Sequence, residues 1–312
     1  MRKSGKGRVL DDPDEWFNGK RKTTSKSAGS GGGITIPTSR KPVASAQAAK
    51  NIINGVRSAQ SAKGGAGKSG KSAKKLPQVV VKISGSSKGA DKAAAHLNYT
   101  GRKGQVELED EQGNKYLGEE QKNLIKSWEA AGFHDKEETG TKREAFHFVF
   151  SMPAGTDPKG LKDAVRNLVQ EEFAGHKYFM AQHLDTDKPH CHVLVCATDD
   201  RGARLNPRKQ DLHNYRVAFV NKLAEQGIEA TASRNVSRFK SKGNKKQWKI
   251  HKSNRDGKPY KPKPPTIQSK AKLEKMNKET MKAYEQYAKK LPAGTVKNAV
   301  KELVNHSQGR GR

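Results

Sequence analysis

Apolar side chains are scarce in this chain: 32% of its 312 residues are hydrophobic and only 6% are aromatic. Two well-packed cores are hard to build from so little, so the length reads as one compact domain with poorly structured flanks. No apolar run approaches the roughly 18–20 residues of a membrane helix, which excludes a spanning segment of that kind. The opening stretch, MRKSGKGRVLDDPDEW, has basic residues but no apolar segment behind them, so no secretory signal is expected. Cysteine is nearly absent. Cys191 and Cys196 form no disulfide framework and suit a reducing cytoplasm. Acidic residues are also few, 32 against 62 Lys+Arg, and the formal net charge is +30. Such an excess calls for a polyanion, either nucleic acid or an anionic membrane surface.

The charge is unevenly placed. Residues 1–77 hold 17 Lys+Arg and 4 Asp+Glu, residues 78–233 hold 22 and 23, and residues 234–312 hold 23 and 5. A nearly neutral body between two cationic arms does something other than hold phosphate. The first arm, 1–77, is rich in Gly, Ser and Lys and reads as a flexible arm. Within it, ASAQAAKNIINGVRSAQ (44–60) has Ile52, Ile53 and Val56 at helical spacing, a short helix for a partner surface. GGAGKS at 64–69 is not a phosphate-binding loop, because Ala62 stands where its first glycine belongs and no strand precedes it. After residue 235 the chain turns basic and Pro-rich (KPYKPKPP, 258–265), then gives a helix over 269–291 with a thin apolar stripe.

The body, 78–235, alternates strands and helices, the pattern of one α+β domain. QVVVKIS (78–84), REAFHFVFSM (143–152), KYFMAQHLD (177–185) and HCHVLVCA (190–197) read as strands. ADKAAAHLNY (90–99), EEQKNLIKSWEAAGF (119–133), DPKGLKDAVRNLVQEEF (157–173) and the segment 206–227 read as helices. Its densest chemistry is HLDTDKPHCH at 183–192. On a strand, His190 and His192 share a face, and hairpin pairing brings His183 opposite them. Three imidazoles from two adjacent strands suit one divalent ion and leave coordination positions open. Asp185 and Asp187 are near enough to orient an imidazole or take a proton. A structural zinc site on Cys191 and Cys196 is disfavoured: Cys191 faces away from the histidines and Cys196 lies too far along the strand. A side-chain nucleophile is best presented where a regular element ends, as Ser151 and Tyr99 are. Arg102 and Lys103, just after Tyr99, suit a phenolate and a flanking phosphate. Periodicity alone favours the other reading of Tyr99, an aromatic that packs on the core at a helix end.

AAAHLNYTGRKGQVELED, HFVFSMPAGTD and HLDTDKPHCHVLV, in that order and with SWEAAGF (127–133) between the first two, resemble the three motifs of relaxases, the mobilisation nucleases of conjugative plasmids. The likeness is to the single-tyrosine, His-hydrophobe-His branch that includes the T-DNA border endonuclease, and it covers about residues 78–235. It implies an antiparallel central sheet flanked by helices, with disordered or helical basic flanks. It implies that Tyr99 attacks a phosphodiester of the transfer origin and becomes joined to the 5′ phosphate. His183, His190 and His192 would hold a divalent ion, Mg or Mn, and Ser151 would position DNA. It further implies single-stranded and duplex origin DNA, accessory relaxosome proteins and a type IV coupling protein as partners, with no membrane. The implied location is the bacterial cytoplasm, with passage alongside DNA into a recipient cell. Cys196 departs from the family's frequent asparagine four residues after the last histidine. A non-enzymatic basic nucleic-acid-binding protein and a rolling-circle replication initiator are the competing readings.

Overall fold

The computed structural model describes residues 13–18, 46–63, 76–121, 123–124, 142–239, 252–253, 255–257, 264 and 266–308. These fall into two compact units, Leu76–Ala232 and a second one made from Met1–Lys75 together with Ser233–Arg312. No described helix is long and apolar enough to cross a membrane.

The first unit is a six-stranded, wholly antiparallel sheet: β1 (Val80–Ser87), β2 (Leu108–Asp110), β3 (Lys115–Tyr116), β4 (Ala145–Ser151), β5 (His176–His183) and β6 (His190–Asp199). Their spatial order is β1-β4-β6-β5-β2-β3. Period-two alternation sends Phe146, Phe148, Phe150, Tyr178, Met180, Cys191, Val193 and Val195 to one face. There they meet Leu161, Val165, Leu168, Phe219 and Leu223 of two helices, and all are buried. These helices are Pro158–Glu172 and Lys209–Glu225; the first begins where Asp157 accepts hydrogen bonds from the Lys159 and Gly160 amides, with Pro158 at its first position. On the opposite face, among the described residues, the helix Ala90–Thr100 packs through Ala93 and Leu97 against Phe179, Ala181 and Leu194. The α+β class and the antiparallel sheet expected from the sequence are what the structure has.

The hairpin β2–β3 carries no sequence signal of its own. Asp110 shapes its turn by accepting from the Gln112 and Asn114 amides and the Tyr116 hydroxyl. Buried Glu109 ties it to the Pro158–Glu172 helix through Arg166 and Lys162. The expected helix at 119–133 lies largely, and SWEAAGF wholly, outside the described residues. So does KPYKPKPP apart from Pro264.

The flanks require a correction. Parts of both arms fold, and they fold together. In chain order the seven named helices are α1 (Pro13–Asn18), α2 (Ala46–Lys63), α3 (Ala90–Thr100), α4 (Pro158–Glu172), α5 (Lys209–Glu225), α6 (Ile267–Lys290) and α7 (Thr295–Gln308). Trp16, Phe17, Ile52 and Val56 are buried with Tyr284, Tyr287, Leu291, Val300 and Leu303 in a core separate from the sheet's. The surface on which 44–60 was expected to form a helix is this chain's own tail. Neither arm has enough apolar area to fold alone, but pooled they make a small core. Gly55 inside α2 is the slot for an aromatic, since a Cβ there would overlap the Phe17 ring. Trp16→Ala should destabilise this helical unit by about 3–5 kcal/mol. Calorimetry of the full chain should show its transition lowered and that of the sheet domain unmoved.

Candidate active site

The half of the sheet that α3 leaves open carries the histidines. Antiparallel pairing sets His183 directly opposite His190, and His190 directly opposite Ser151; His192 faces Ala181 and Val149. Cross-strand partners point to one face, so all four polar side chains project together. The rings of His183 and His190 lie 5.2 Å apart, His183 and His192 4.6 Å, and His190 and His192 5.1 Å. One ligand nitrogen from each comes within 4.8 Å of the others.

Backbone carbonyls set the tautomers. His183 Nε2–H donates to the Thr100 carbonyl at 2.6 Å, which leaves Nδ1 as its lone-pair nitrogen. His190 Nδ1–H donates to the Lys188 carbonyl at 3.0 Å, which leaves Nε2. Buried His192 Nδ1 has no hydrogen-bond partner among the described residues. Burial pushes the His192 pKa down to about 3, with the neighbouring imidazoles adding to the shift, so its ring is neutral. The neutral His192 ring, its unpartnered buried nitrogen and the lone pair on His190 Nε2 fit a divalent ion, which His183 Nδ1 would join by giving up its 3.4 Å contact with Arg102.

The carboxylates sit differently from the sequence expectation. Asp185 pairs with Arg102 (2.5 Å) rather than with an imidazole, and that guanidinium holds its carboxyl below the usual range. Asp187 is exposed in the turn between β5 and β6. The imidazoles whose hydrogen bonds are seen are oriented by main-chain oxygens instead.

Tyr99 is near the end of α3, which stops at Gly101. Its ring is 6.5 Å from that of His192 and perpendicular to it, and it lines one open cleft with Lys82, Ser84, His96, His147, Val149, His190 and His192. The packed-aromatic alternative does not hold: Tyr99 is 59% exposed, far more than a core residue. Arg102 lies over the Tyr99 ring at 5.2 Å and also reaches His183 Nδ1 at 3.4 Å. Thus Arg102 links nucleophile candidate, histidine cluster and Asp185. Lys103 is exposed one residue further on, in the same tight turn. Cys191 is buried in the opposite core and Cys196 lies apart from the histidine cluster, so neither joins it.

Sequence reasoning missed two residues, His96 and His147. Their rings stack at 3.6 Å and 9° in the same cleft. His147 Nε2 shares a 2.7 Å hydrogen bond with Ser87 Oγ, and Gly85, beside the irregularity in β1, gives its ring room. The signals were present: His96 is one turn before Tyr99, and His147 is on the alternating face of Ser151.

The antiparallel sheet thus presents a three-imidazole cluster beside an exposed tyrosine. Residues 99–228 match the family model "Relaxase: MobA/VirD2-like, nuclease domain". That match takes in 130 of the 312 residues, and over this segment the chain is similar to relaxases. It is 30% identical over 135 residues to the T-DNA border endonuclease VirD2 of Rhizobium radiobacter (38% of this chain, 31% of that protein). The VirD2 proteins of Agrobacterium fabrum strain C58 and Rhizobium rhizogenes are 28% and 29% identical over 184 and 185 residues, 52% of this chain and 40% and 42% of theirs. The chain therefore spans between about a third and two fifths of these relatives' length. A solved structure, "Molecular Basis of Vancomycin Resistance Transfer in Staphylococcus aureus", is similar at TM-score 0.35 and 12% identity, covering 51% of this chain and 99% of that one.

The His96–His147 stack has a pH consequence. Burial, with His96 alongside, holds the His147 pKa at about 4 against 6.5 unfolded. Between those values the unfolded chain binds the proton and the folded one does not. Stability is therefore full above about pH 6.5 and falls toward pH 4 by about 1.4 kcal/mol per unit. Imidazole NMR should find the His147 ring neutral at pH 5; a protonated ring there would contradict the burial.

Proposed function

We propose that this protein nicks one DNA strand at a plasmid transfer origin by tyrosine transesterification, for conjugative transfer. One observation carries the reading: the exposed Tyr99 hydroxyl and the histidine cluster share one cleft, although they are far apart in the chain. The border endonucleases to which the chain is similar support DNA cleavage as the activity.

Tyr99 Oη gives up its proton and attacks the scissile phosphorus. The bond from phosphorus to the tyrosyl oxygen forms, the bond to the 3′ oxygen breaks, and that oxygen leaves as a hydroxyl once protonated. The 5′ phosphate stays on Tyr99, so bond energy is conserved and the reverse attack reseals the strand. His183, His190 and His192 would hold a divalent ion, which when bound supplies Lewis-acid polarisation of the phosphate oxygens. An all-imidazole set favours Mn²⁺ over the oxygen-seeking Mg²⁺. Arg102, held by Asp185, covers the Tyr99 ring and stabilises phosphate charge as it develops. Ser151, opposite His190, and exposed Lys103 position the strand on either side. Accessory origin-binding proteins and a secretion coupling protein belong to the same reading, as does action in the bacterial cytoplasm.

Two measurements test this. Tyr99→Phe removes only the phenol oxygen, so incubation with labelled single-stranded origin DNA and Mn²⁺ should yield no protein joined to a 5′ end. An undiminished adduct would assign the nucleophile elsewhere. His190→Ala and His192→Ala should each lower cleavage about 100-fold or more, since several kcal/mol of charge stabilisation is lost, while oligonucleotide binding persists. Cleavage unaffected by chelator would remove the ion from the mechanism.

A further inference from the structure

The excess charge of this chain lies outside the sheet domain, and the described parts of both cationic segments fold into the helical unit. Its longest helix, α6, is two-faced. Thr280, Tyr284, Tyr287 and Ala288 are buried on one side. On the opposite side Lys275, Lys278, Lys282 and Lys289 are all exposed. Their spacings of three, four and seven residues keep them within one stripe, running about 21 Å at 1.5 Å per residue. None of the four has a salt-bridge partner among the described residues.

We propose that the helical unit is a duplex-DNA-binding module and that this lysine row is its contact with the phosphate backbone. The proposal rests on the reading of the chain as an origin-nicking enzyme and gives the second unit a separate substrate, the double-stranded DNA beside the nick site. Chemistry selects the partner. An interfacial membrane helix sets exposed apolar side chains beside its lysines. Here the two tyrosines of α6 are buried and face the core, and its exposed large apolar side chain, Ile267, stands at the first residue of the helix, eight positions before the lysine row begins. Single-strand binding draws on exposed aromatics that stack with bases. The stripe has none. Point charges along a rigid rod, with no base-reading or stacking groups, match a regular array of phosphates.

Deleting the first arm would not test this cleanly, because Trp16 and Ile52 are part of the unit's core. The test is the full chain with Lys275→Gln, Lys278→Gln, Lys282→Gln and Lys289→Gln combined. Its control, Lys92→Gln, Lys159→Gln, Lys177→Gln and Lys209→Gln, makes the same charge change on exposed positions of the sheet domain. Binding to a non-origin duplex is measured against salt. The stripe variant should flatten the slope of log affinity against log salt by about 3–4 and weaken binding at least about 10-fold at low salt. The control should retain wild-type slope and affinity, and both variants should nick single-stranded origin DNA at the wild-type rate. Equal losses in variant and control would overturn the stripe, since charge alone would then explain binding. Unchanged duplex binding with lost binding to anionic vesicles would also overturn it, in favour of a membrane partner. Failure of the wild-type chain to nick would count against the enzymatic reading, while the slope difference would still decide the stripe.

Discussion

The register between β5 and β6 is the constraint on which the site depends. His183 opposes His190, and the two-residue period then carries His192 onto the same face. A slip of β6 by one residue would turn His190 and His192 into the packed side of the sheet, away from His183, and expose Cys191, Val193 and Val195, which are fully buried. Register is therefore enforced from behind, by the apolar face packed on α4 and α5. The lock extends to β4, where Phe148 faces Val193 while Ser151 faces His190. Each apolar pair that holds the sheet also aims a polar pair at the cleft. Removing several buried side chains from contact costs far more than any one polar contact in the site returns. Core packing thus fixes the geometry that chemistry uses.

That coupling explains what could be read from the sequence. Strand composition in AFHFVFS and HCHVLVC made both strands legible, the two-residue period put His190 and His192 on one face, and the glycine after AAAHLNYT marked the helix end that displays Tyr99. Three elements were not legible. β2 and β3 have three and two residues, too few for a period, and they hold their place through Asp110's turn and the long-range contact of Glu109 with Arg166. The helical unit draws on Trp16 and Phe17 at one end of the chain and Val300 and Leu303 at the other. Each local window looks too polar to fold, and only their sum is not. The partners of the imidazoles were missed because they are carbonyls, of Thr100 and Lys188, and a carbonyl has no letter in a sequence.

The separation of charge follows from the same local electrostatics. An imidazole cluster binds a cation only while neutral, and each added positive neighbour competes with that cation. The sheet domain is nearly neutral by count, and Arg102, the cation that reaches both His183 and Tyr99, is bound to Asp185. The excess charge of the chain is carried on segments outside that domain. The arrangement lets one chain be strongly cationic while the surroundings of the histidine cluster stay nearly neutral by count.

Arg102 reaches its position at a conformational cost. Arg102 and Lys103 both adopt positive φ, 49° and 56°, in succession directly after α3. Side chains other than glycine seldom occupy that region, and each instance costs about 1–3 kcal/mol. The surroundings over-determine it. Gly101 accepts from the amides of Gly104 and Val106, and Gly118 donates to the Gly104 carbonyl, so the turn is tied at both ends. A Cβ at Gly104 would crowd the backbone of Gly118 at 3.0 Å, which keeps that tie specific to glycine. A relaxed exit from the helix would carry Arg102 away from the β5–β6 turn. The left-handed pair instead doubles the chain back, so that one guanidinium reaches Tyr99, His183 and Asp185 together. The strained turn thus places the positive charge of Arg102 between Tyr99 and the histidine cluster.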